Sequence, residues 1–408
     1  MTTEVNSKVA MNRRQLLKAG LGGATMLSGL NLTVAFAETG DIVVGASQPM
    51  TGVFAFAGVA LNQGLSDFCE WKNEKGGIGG RKLRYYSEDS GYKLDQSMSV
   101  FKKLVSLHQP PVFMGDSSGW AKAASQEVKE TGKMLLSGPS FATDLADPQN
   151  VPYYFMAGPT WLAQLKMLFK FVVDSAKGAN KPSVALVYSD TEFGRDPIVA
   201  GREYAKTIGL PIVLEVVTKA GAVDVSTEVA RLRRAKPDFV IFHGHVLAPI
   251  PEFIKQMRES GMTARPLGTN WSMDKLNVDA MGDAADGWTG VMPHVYSYET
   301  KDAPMIAELN AFARKKRPDV GYLPMFYVYS WFVGSIFAEV LERCVRNGKP
   351  LDGANMRGAL ESIENWDSGG FVGLPISMKG HQTGMGRVYQ YDKGSKLLKP
   401  ISDWISIT

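Results

Sequence analysis

Cysteine is scarce in this chain, and no metal-binding pattern accompanies it. The 408 residues include two cysteines, Cys69 and Cys344, each in a segment with helical periodicity. Two isolated cysteines lack the clustered spacing of a zinc site, so we expect no metal and no cofactor. A disulfide between the two cysteines is an alternative, although the sequence favours two separately buried thiols.

The chain also lacks a strong charge of either sign. Its formal net charge is +4, and the first 37 residues contain four basic residues and one acidic residue, so about +1 remains beyond them. A nucleic-acid partner needs a basic surface, and this balance argues against one. Low-complexity runs and short-period repeats are also absent.

A long uncharged stretch, residues 320–338, does not read as a membrane span. Gly321 and Pro324 interrupt its start, and tyrosines are spread along it. A span is largely apolar and carries its aromatics at the ends. We therefore expect a buried helix over residues 326–347.

The N-terminus has the features of an export signal. Arg13 and Arg14 precede a Gly-rich apolar segment, residues 19–34, and an Ala-Phe-Ala site that ends at Ala37. This order is typical of a secretory signal peptide, and the paired arginines indicate the twin-arginine route. We expect residues 1–37 to be this signal, with an N-terminal membrane anchor as the alternative.

Beyond the signal, strand and helix patterns alternate, which predicts an α/β chain with parallel sheets. The length of about 371 residues favours two domains. Strands are predicted at 41–45, 111–114, 134–136, 184–188, 212–217, 239–242, 266–268, 371–372 and 387–391, and helices at 121–132, 161–175, 197–208, 227–235, 250–260, 304–314, 326–347 and 355–363.

A Gly-x-Ser-x-Gly sequence, residues 115–119, lies between a predicted strand and a predicted helix. This is the context of a hydrolase nucleophile elbow, with Ser117 as the nucleophile. The same loop also suits anion binding, because a helix N-terminus offers free N–H groups and a favourable dipole. The binding interpretation is favoured, and an exported serine hydrolase is the alternative.

Three short motifs carry a family resemblance: Pro-Met-Thr-Gly at 49–52, Asn-Glu-Lys-Gly-Gly-Ile-Gly-Gly at 73–80 and Asp-Ser at 89–90. With them the chain resembles the type I periplasmic solute-binding proteins of ABC importers, the leucine/isoleucine/valine-binding family, from about residue 41 to the C-terminus. The resemblance implies a two-lobed fold, each lobe a mostly parallel sheet flanked by helices, with three hinge crossings. Lobe 1 would comprise residues 41–158 and 293–369, and lobe 2 residues 159–292 and 370–408.

The resemblance also implies a function without catalysis. A periplasmic receptor of this kind captures a small solute in the cleft between its lobes. It then delivers the solute to a permease and ATPase complex in the inner membrane. A ligand sensor for a membrane receptor on the same fold is a further alternative.

The resemblance places ligand contacts in two loops and after one strand. Ser118, next to Ser117, falls on the carboxylate-binding serine. Ser140 and Phe141 lie in the second loop, where Phe141 occupies the place of a threonine. Asn270 occupies the place of an acid that pairs with a ligand ammonium, and Asp274 is a possible substitute for that acid.

Aromatic residues fill the remaining predicted ligand positions, which all follow sheet strands. The ligand would therefore be a flat or bulky apolar body with one carboxylate, because an ammonium has no carboxylate partner at residue 270. Branched-chain amino acids are the alternative ligands. The predicted contacts are Phe54, Phe56, Trp120, Phe193 and Trp271, together with His245.

Overall fold

Strands and helices alternate from the first described strand onward. The computed structural model describes residues 40–175, 181–219 and 221–407, so the predicted signal lies outside the described residues. The strands of the first segment form a parallel four-stranded sheet in the order β2-β1-β3-β4. The elements are β1 (Ile42–Gln48), α1 (Ala55–Glu74), β2 (Leu83–Asp89), α2 (Leu94–His108), β3 (Val112–Met114), α3 (Ser118–Thr131) and β4 (Leu135–Ser137).

The middle and the end of the chain build a seven-stranded sheet. Its elements are α4 (Trp161–Asp174), β5 (Val184–Ser189), α5 (Glu192–Arg195), α6 (Ile198–Thr207), β6 (Ile212–Thr218), α7 (Ser226–Ala235), β7 (Phe239–His243), α8 (Ile250–Glu259), β8 (Arg265–Gly268), α9 (Lys275–Met281) and β9 (Thr289–Met292). Then come α10 (Pro304–Lys316), α11 (Met325–Arg346), α12 (Gly353–Glu361), β10 (Met385–Asp392) and β11 (Leu397–Ser406). The strand order is β11-β10-β9-β8-β7-β5-β6, and β10 runs antiparallel to both neighbours.

The central strands are apolar runs because both faces of each sheet are covered. Every residue of β5 is buried, and so are all but one of the seven residues of β1. The predicted α/β class with mostly parallel sheets is confirmed.

The chain passes between the two sheets three times. After β9 it leaves the seven-stranded sheet, and α11 packs along α1 while α12 contacts β4. It then returns to form β10. Lobe 1 thus consists of the four-stranded sheet with α1–α3 and α10–α12, and lobe 2 of the seven-stranded sheet with α4–α9.

Connecting segments between the lobes run side by side. A Cβ added to Gly158 would lie 3.0 Å from the Cβ of Pro293, so glycine permits this close approach. The backbone N–H of Val295 donates to the carbonyl of Phe371 at 3.0 Å. The three segments in which hinge crossings are predicted are therefore neighbours.

The uncharged stretch is the buried helix α11, as predicted. A Cβ added to Gly64 of α1 would lie 2.6 Å from the carbonyl oxygen of Tyr327, so the two helices pack closely. None of the helices in the described ranges combines the length and apolar character that a bilayer crossing needs.

Cys69 on α1 and Cys344 on α11 are both buried and both free. The favoured prediction of two separate thiols is confirmed. Burial raises the pKa of Cys69, and it raises the pKa of Cys344 to about 11. Both thiols are therefore protonated and unreactive at neutral pH.

Several strands and one helix differ from those predicted from the sequence. Residues 371–372 form bends, so the strand predicted there is wrong. The pattern misses β9, and it misses β11, an edge strand that contains Pro400; proline is confined to such edges. Helix α3 begins three residues before its predicted start because Ser117 caps it.

Candidate functional site

A cavity of about 460 Å³, including its open mouth, lies between the lobes. It opens where strands of both sheets end, which is where open parallel sheets bind ligands. We call it the interlobe cavity. Lobe 1 contributes Pro49, Phe54, Ala57, Leu61, Tyr92, Asp116, Ser117, Ser118, Pro139 and Phe326, and lobe 2 contributes Trp161, Phe193, Val246 and Trp271.

Ser117 and Ser118 bring the start of α3 to the cavity. The Ser117 hydroxyl accepts the N–H of Trp120 at 3.2 Å and donates to Asp116 Oδ1 at 2.8 Å, so its proton is already engaged. Ser118 Oγ accepts from Ser140 Oγ at 3.2 Å, which leaves the Ser118 proton available. Because a helix N-terminus favours an anion, Ser118 suits a carboxylate better than Ser117.

The second loop supports the cavity from behind. Ser140 and Phe141 are fully buried. The Phe141 ring stacks on Trp271, with centroids 5.4 Å apart and planes at 11°. Trp271 in turn stacks on Phe326 at 5.6 Å and 17°. Phe141 therefore holds an aromatic wall in place where the resemblance would put a hydroxyl.

Two further aromatic pairs line the cavity, one from each lobe. The centroids of Phe54 and Tyr92 are 4.3 Å apart, and those of Trp161 and Phe193 are 4.4 Å apart. His243 packs behind Phe193 and its Nε2 lies 2.9 Å from the Phe193 carbonyl. Burial lowers the pKa of His243 to about 3, so this support is uncharged at neutral pH.

Asp116 places a carboxyl group on the cavity wall. It is 3% exposed. Its Oδ1 accepts from Ser117, its Oδ2 accepts from Ser97, and Ser90 supplies a further hydroxyl. Burial raises the pKa of Asp116, while the three hydroxyls oppose that rise. The wall that holds Ser118 therefore also holds a strong acceptor.

Polar contacts join the lobes outside the cavity, and two of them lie close together beside α3 and α5. Thr143 of lobe 1 donates to Asp196 of lobe 2 through both its N–H and its hydroxyl. Lys122 on α3 lies 2.7 Å from Glu192 on α5. These contacts hold the lobes together in this conformation.

Trp120 and Phe56 do not line the cavity, contrary to expectation. Trp120 turns back onto its own sheet: a Cβ added to Gly115 would lie 1.8 Å from the Trp120 ring, and the ring stacks on Phe113 at 5.6 Å. The missing side chain of Gly115 makes room for it. Phe56 packs edge-on against Phe326 at 5.9 Å, one layer behind the wall.

His245 and Asn270 also lie off the cavity wall. His245 is buried and its Nε2 lies 2.9 Å from the Thr218 hydroxyl. The Asn270 N–H donates to Gln164. Both polar atoms of the fully buried Asn270 side chain lack a hydrogen-bond partner among the described residues. That amide stands beside Trp271, which does line the cavity.

Sequence reasoning did not single out Tyr92, Asp116, Trp161 or Phe326, which all line the cavity. Trp161 lies in the first turn of α4, the helix that follows the first crossing between the lobes. Phe326 lies in the first turn of α11, which follows the loop after α10. A large aromatic at such a helix start is the signal that could have identified them. Asp116 lies within the Gly-x-Ser-x-Gly sequence at residues 115–119.

Ser117 makes no hydrogen bond to a histidine among the described residues. Ser117 donates to Asp116 and caps α3. A hydrolase that acts through Ser117 needs a histidine later in the chain as its base, and in the described part of the chain the four histidines that follow Ser117 bond to other groups. These are His243, His245, His294 and His381.

Asp274 is not available to a ligand amine. Its carboxyl caps α9 by accepting the N–H of Leu276 at 2.9 Å. It also accepts the N–H of Met325 at 2.9 Å and the hydroxyl of Tyr322 at 3.2 Å. Asp274 is 1% exposed and lies off the cavity wall. The structure therefore engages Asp274 with protein groups, and the suggestion that it replaces the missing acid gains no support from its position.

Comparison with known proteins agrees with this architecture. The family described as periplasmic binding protein matches residues 41–396. Leu/Ile/Val-binding protein homolog 8 of Brucella abortus (strain 2308) is 26% identical over 306 residues, covering 72% of this chain and 73% of the relative. Homolog 7 of the same strain is 24% identical over 369 residues, covering 87% and 86%.

Solved structures share the two-lobed fold. A branched chain amino acid ABC transporter protein from Thermus thermophilus with bound valine has a TM-score of 0.82 at 22% identity, covering 90% of this chain and 98% of its own. A solute binding protein from Rhodopseudomonas palustris BisB5, in complex with 3,4-dihydroxy benzoic acid, has a TM-score of 0.72 at 18% identity, covering 90% and 97%. The expected type I fold is confirmed.

Proposed function

Because the chain belongs to the periplasmic binding protein family, we propose that it is the substrate-binding component of an ABC importer of the branched-chain amino acid type. The interlobe cavity captures a small carboxylate-bearing solute. A permease and ATPase complex in the inner membrane then accepts the loaded form. Family membership implies a periplasmic location, and the relatives are solute-binding proteins rather than enzymes.

One observation carries the proposal: Ser118 and the start of α3 share a cavity with aromatic walls from both lobes. The helix start suits a carboxylate. The stacked Trp271 and Phe326 suit a flat or apolar body. An apolar pocket with a few placed polar groups is the usual form of a small-molecule site.

The favoured ligand is an aromatic or other hydrophobic carboxylate. The acid and the hydroxyl expected in amino-acid binders are replaced by Asn270 and Phe141. A branched-chain amino acid is the alternative. The valine bound by the T. thermophilus protein supports the alternative, and the aromatic acid bound by the R. palustris protein supports the favoured class. The Asn270 amide has no hydrogen-bond partner among the described residues and is a candidate for a water contact behind Trp271.

Binding would close the lobes about their connections, as hinge closure does in such receptors. Glycine and proline at these connections suit the backbone rotation that closure demands. In this proposal the moving bodies are residues 41–158 with 293–369, and residues 159–292 with 370–408, and the crossings fall near 158, 292–293 and 369–370.

Export by the twin-arginine route is part of the proposal and rests on the sequence. Arg13 and Arg14 stand before the Gly-rich segment and the site at Ala37. Replacing both arginines by lysine should leave the precursor in the cytoplasm, as detected by fractionation. Normal export of that variant would refute the twin-arginine route and leave the binding function untouched.

A thermal-shift screen over amino acids, amides, aromatic acids and aliphatic acids tests the binding function. A ligand at 100 times its dissociation constant should stabilise the protein by about 2.7 kcal/mol. Competitive calorimetry then ranks leucine against benzoate-like and phenylpropanoid acids. Tight leucine binding with no heat from those acids would reverse the ligand preference, whereas no binding to any carboxylate would refute the function.

A further inference from the structure

One group on the cavity wall has no part in the function proposed above: the Asp116 carboxyl. It faces the same cavity as Ser118. We propose that Asp116 is a ligand-facing acceptor, and that the captured solute carries an N–H or O–H donor in addition to its carboxylate. This inference rests on the proposed function and specifies which carboxylates the cavity selects.

The donors that surround Asp116 are all neutral and all belong to lobe 1. Hydroxyls of Ser117 and Ser97 donate to one carboxyl oxygen each. The Ser90 hydroxyl and the backbone N–H of Asp116 itself also lower its pKa. Asp116 reaches the cavity surface, so a donor on the solute can approach its carboxyl from the cavity.

The charge of Asp116 favours the same conclusion. All three hydroxyl partners are neutral, and buried charges are ordinarily paired. A solute with only a carboxylate would bring a second negative group into the cavity beside Ser118. A hydrogen-bond donor on the solute offsets the repulsion between the two negative groups, because it bonds to Asp116 directly.

The donor has two possible sources that share this chemistry. One is the ammonium of an amino acid, for which Asp116 in lobe 1 would replace the acid that is missing at Asn270 in lobe 2. The other is a hydroxyl on the ring of an aromatic acid. Asp116 would be a specificity-determining residue in either case.

Two ligand pairs that differ by one donor separate these sources. Calorimetry compares leucine with 4-methylpentanoate, and 4-hydroxybenzoate with benzoate, on the wild-type protein and on Asp116→Asn and Asp116→Ala. Asparagine removes the charge and keeps a carbonyl acceptor, whereas alanine removes both. Asp144→Asn, at an exposed acid paired with Lys122 outside the cavity, is the control. Thermal melting shows which variants are folded.

We expect the wild type to prefer the donor-bearing member of one pair by at least about tenfold, because a site built to bond a donor rejects the analogue that lacks it. The preferred pair identifies the source. Asp116→Asn should abolish an ammonium preference, and Asp116→Ala should abolish a hydroxyl preference. If Asp116→Ala does not fold, Asp116→Asn decides an ammonium preference, whose loss supports the inference and whose retention overturns it. For a hydroxyl preference, Asp116→Leu, which also lacks an acceptor, replaces the alanine variant, with loss and retention of the preference read in the same way.

A wild type with no donor preference in either pair would also overturn the inference. So would a preference that both folded variants keep. These results would leave the proposed function standing, provided that the acids bind. If no carboxylate in the wider screen binds the wild type, the proposed function fails and this inference fails with it.

Discussion

Asp196 of lobe 2 accepts two hydrogen bonds from Thr143 of lobe 1, with Oδ1 3.0 Å from the backbone nitrogen and Oδ2 2.7 Å from the hydroxyl. The carboxyl is half-buried, and burial raises its pKa. The neighbouring Lys122–Glu192 pair is more exposed. Hydrogen bonds to a charged group contribute about 1.5–3 kcal/mol, whereas exposed ion pairs contribute about 0–1 kcal/mol. The Thr143–Asp196 contact is therefore the stronger of these two links between the lobes.

Removing this link should release the ligand faster. If closure traps the solute, Asp196→Ala favours the open form and raises the dissociation constant by roughly tenfold, the equivalent of about 1.4 kcal/mol. Stopped-flow fluorescence with the best ligand of the screen would show the change mainly in the dissociation rate. Glu192→Gln, which breaks the exposed pair, should change that rate less than about threefold. Equal effects of the two substitutions would contradict this ranking.

Ser118 should contribute directly to carboxylate binding. Ser118→Ala removes a hydroxyl donor to a charged group and should weaken binding by roughly 1.5–3 kcal/mol. Ser125→Ala on the same helix is the matched control, because its buried hydroxyl has no hydrogen-bond partner among the described residues. Calorimetry should show a loss for the first variant alone. Unchanged affinity in Ser118→Ala would remove this residue from the site.

The position of a residue just after a predicted strand was enough to identify some of the cavity residues. Ser117 and Ser118 follow β3, Phe193 follows β5 and Trp271 follows β8, and each lines the cavity. Parallel strands all end at one edge of their sheet, so a residue just after such a strand is a sound candidate. The parallel sheets themselves were predictable from the alternation of strand and helix patterns.

The remaining wall residues depend on contacts that sequence spacing does not encode. Trp120 also follows β3, yet the space over Gly115 draws its ring into the core. Phe326 reaches the cavity because α11 packs on α1, far away in sequence. The role of Asp274 could not be predicted either, since one of its partners, Met325, belongs to the other lobe. Side-chain direction at a loop or helix start is set by such long-range packing.

Asp274 should matter for stability rather than for ligand choice. Asp274→Ala removes an N-cap, worth about 1 kcal/mol, and leaves the N–H of Met325 without its buried acceptor, which costs about 1–3 kcal/mol. We expect the free energy of unfolding to fall by roughly 2–4 kcal/mol in denaturant titrations. The ranking of leucine against hydrophobic acids should stay the same. A selective loss of amine-bearing ligands would instead place Asp274 in the ligand site.

Buried histidines, among them His243, His245 and His294, make stability depend on pH. Burial lowers the pKa of His243 to about 3, and the pKa of both His245 and His294 to about 4. An unfolded histidine has a pKa of about 6.5. Below that value the unfolded chain binds protons that the folded chain does not bind, so the folded state loses stability as the pH falls from about 6.5 toward 4. The stabilisation is fully present above pH 6.5.

Replacing one of these histidines should flatten that dependence. His245→Gln removes one titrating group and retains an amide that can bond Thr218. At pH 4.5 a single such histidine costs the wild type roughly 2 kcal/mol relative to pH 7. The loss of unfolding free energy between these pH values, measured by guanidinium titration, should therefore be smaller in the variant by about that amount. Buried carboxyls with raised pKa, including Asp116 and Asp196, act in the opposite direction, but they are common to both proteins and cancel in the difference. An identical loss in both proteins would mean that His245 is already protonated, or equally solvated, in the folded state.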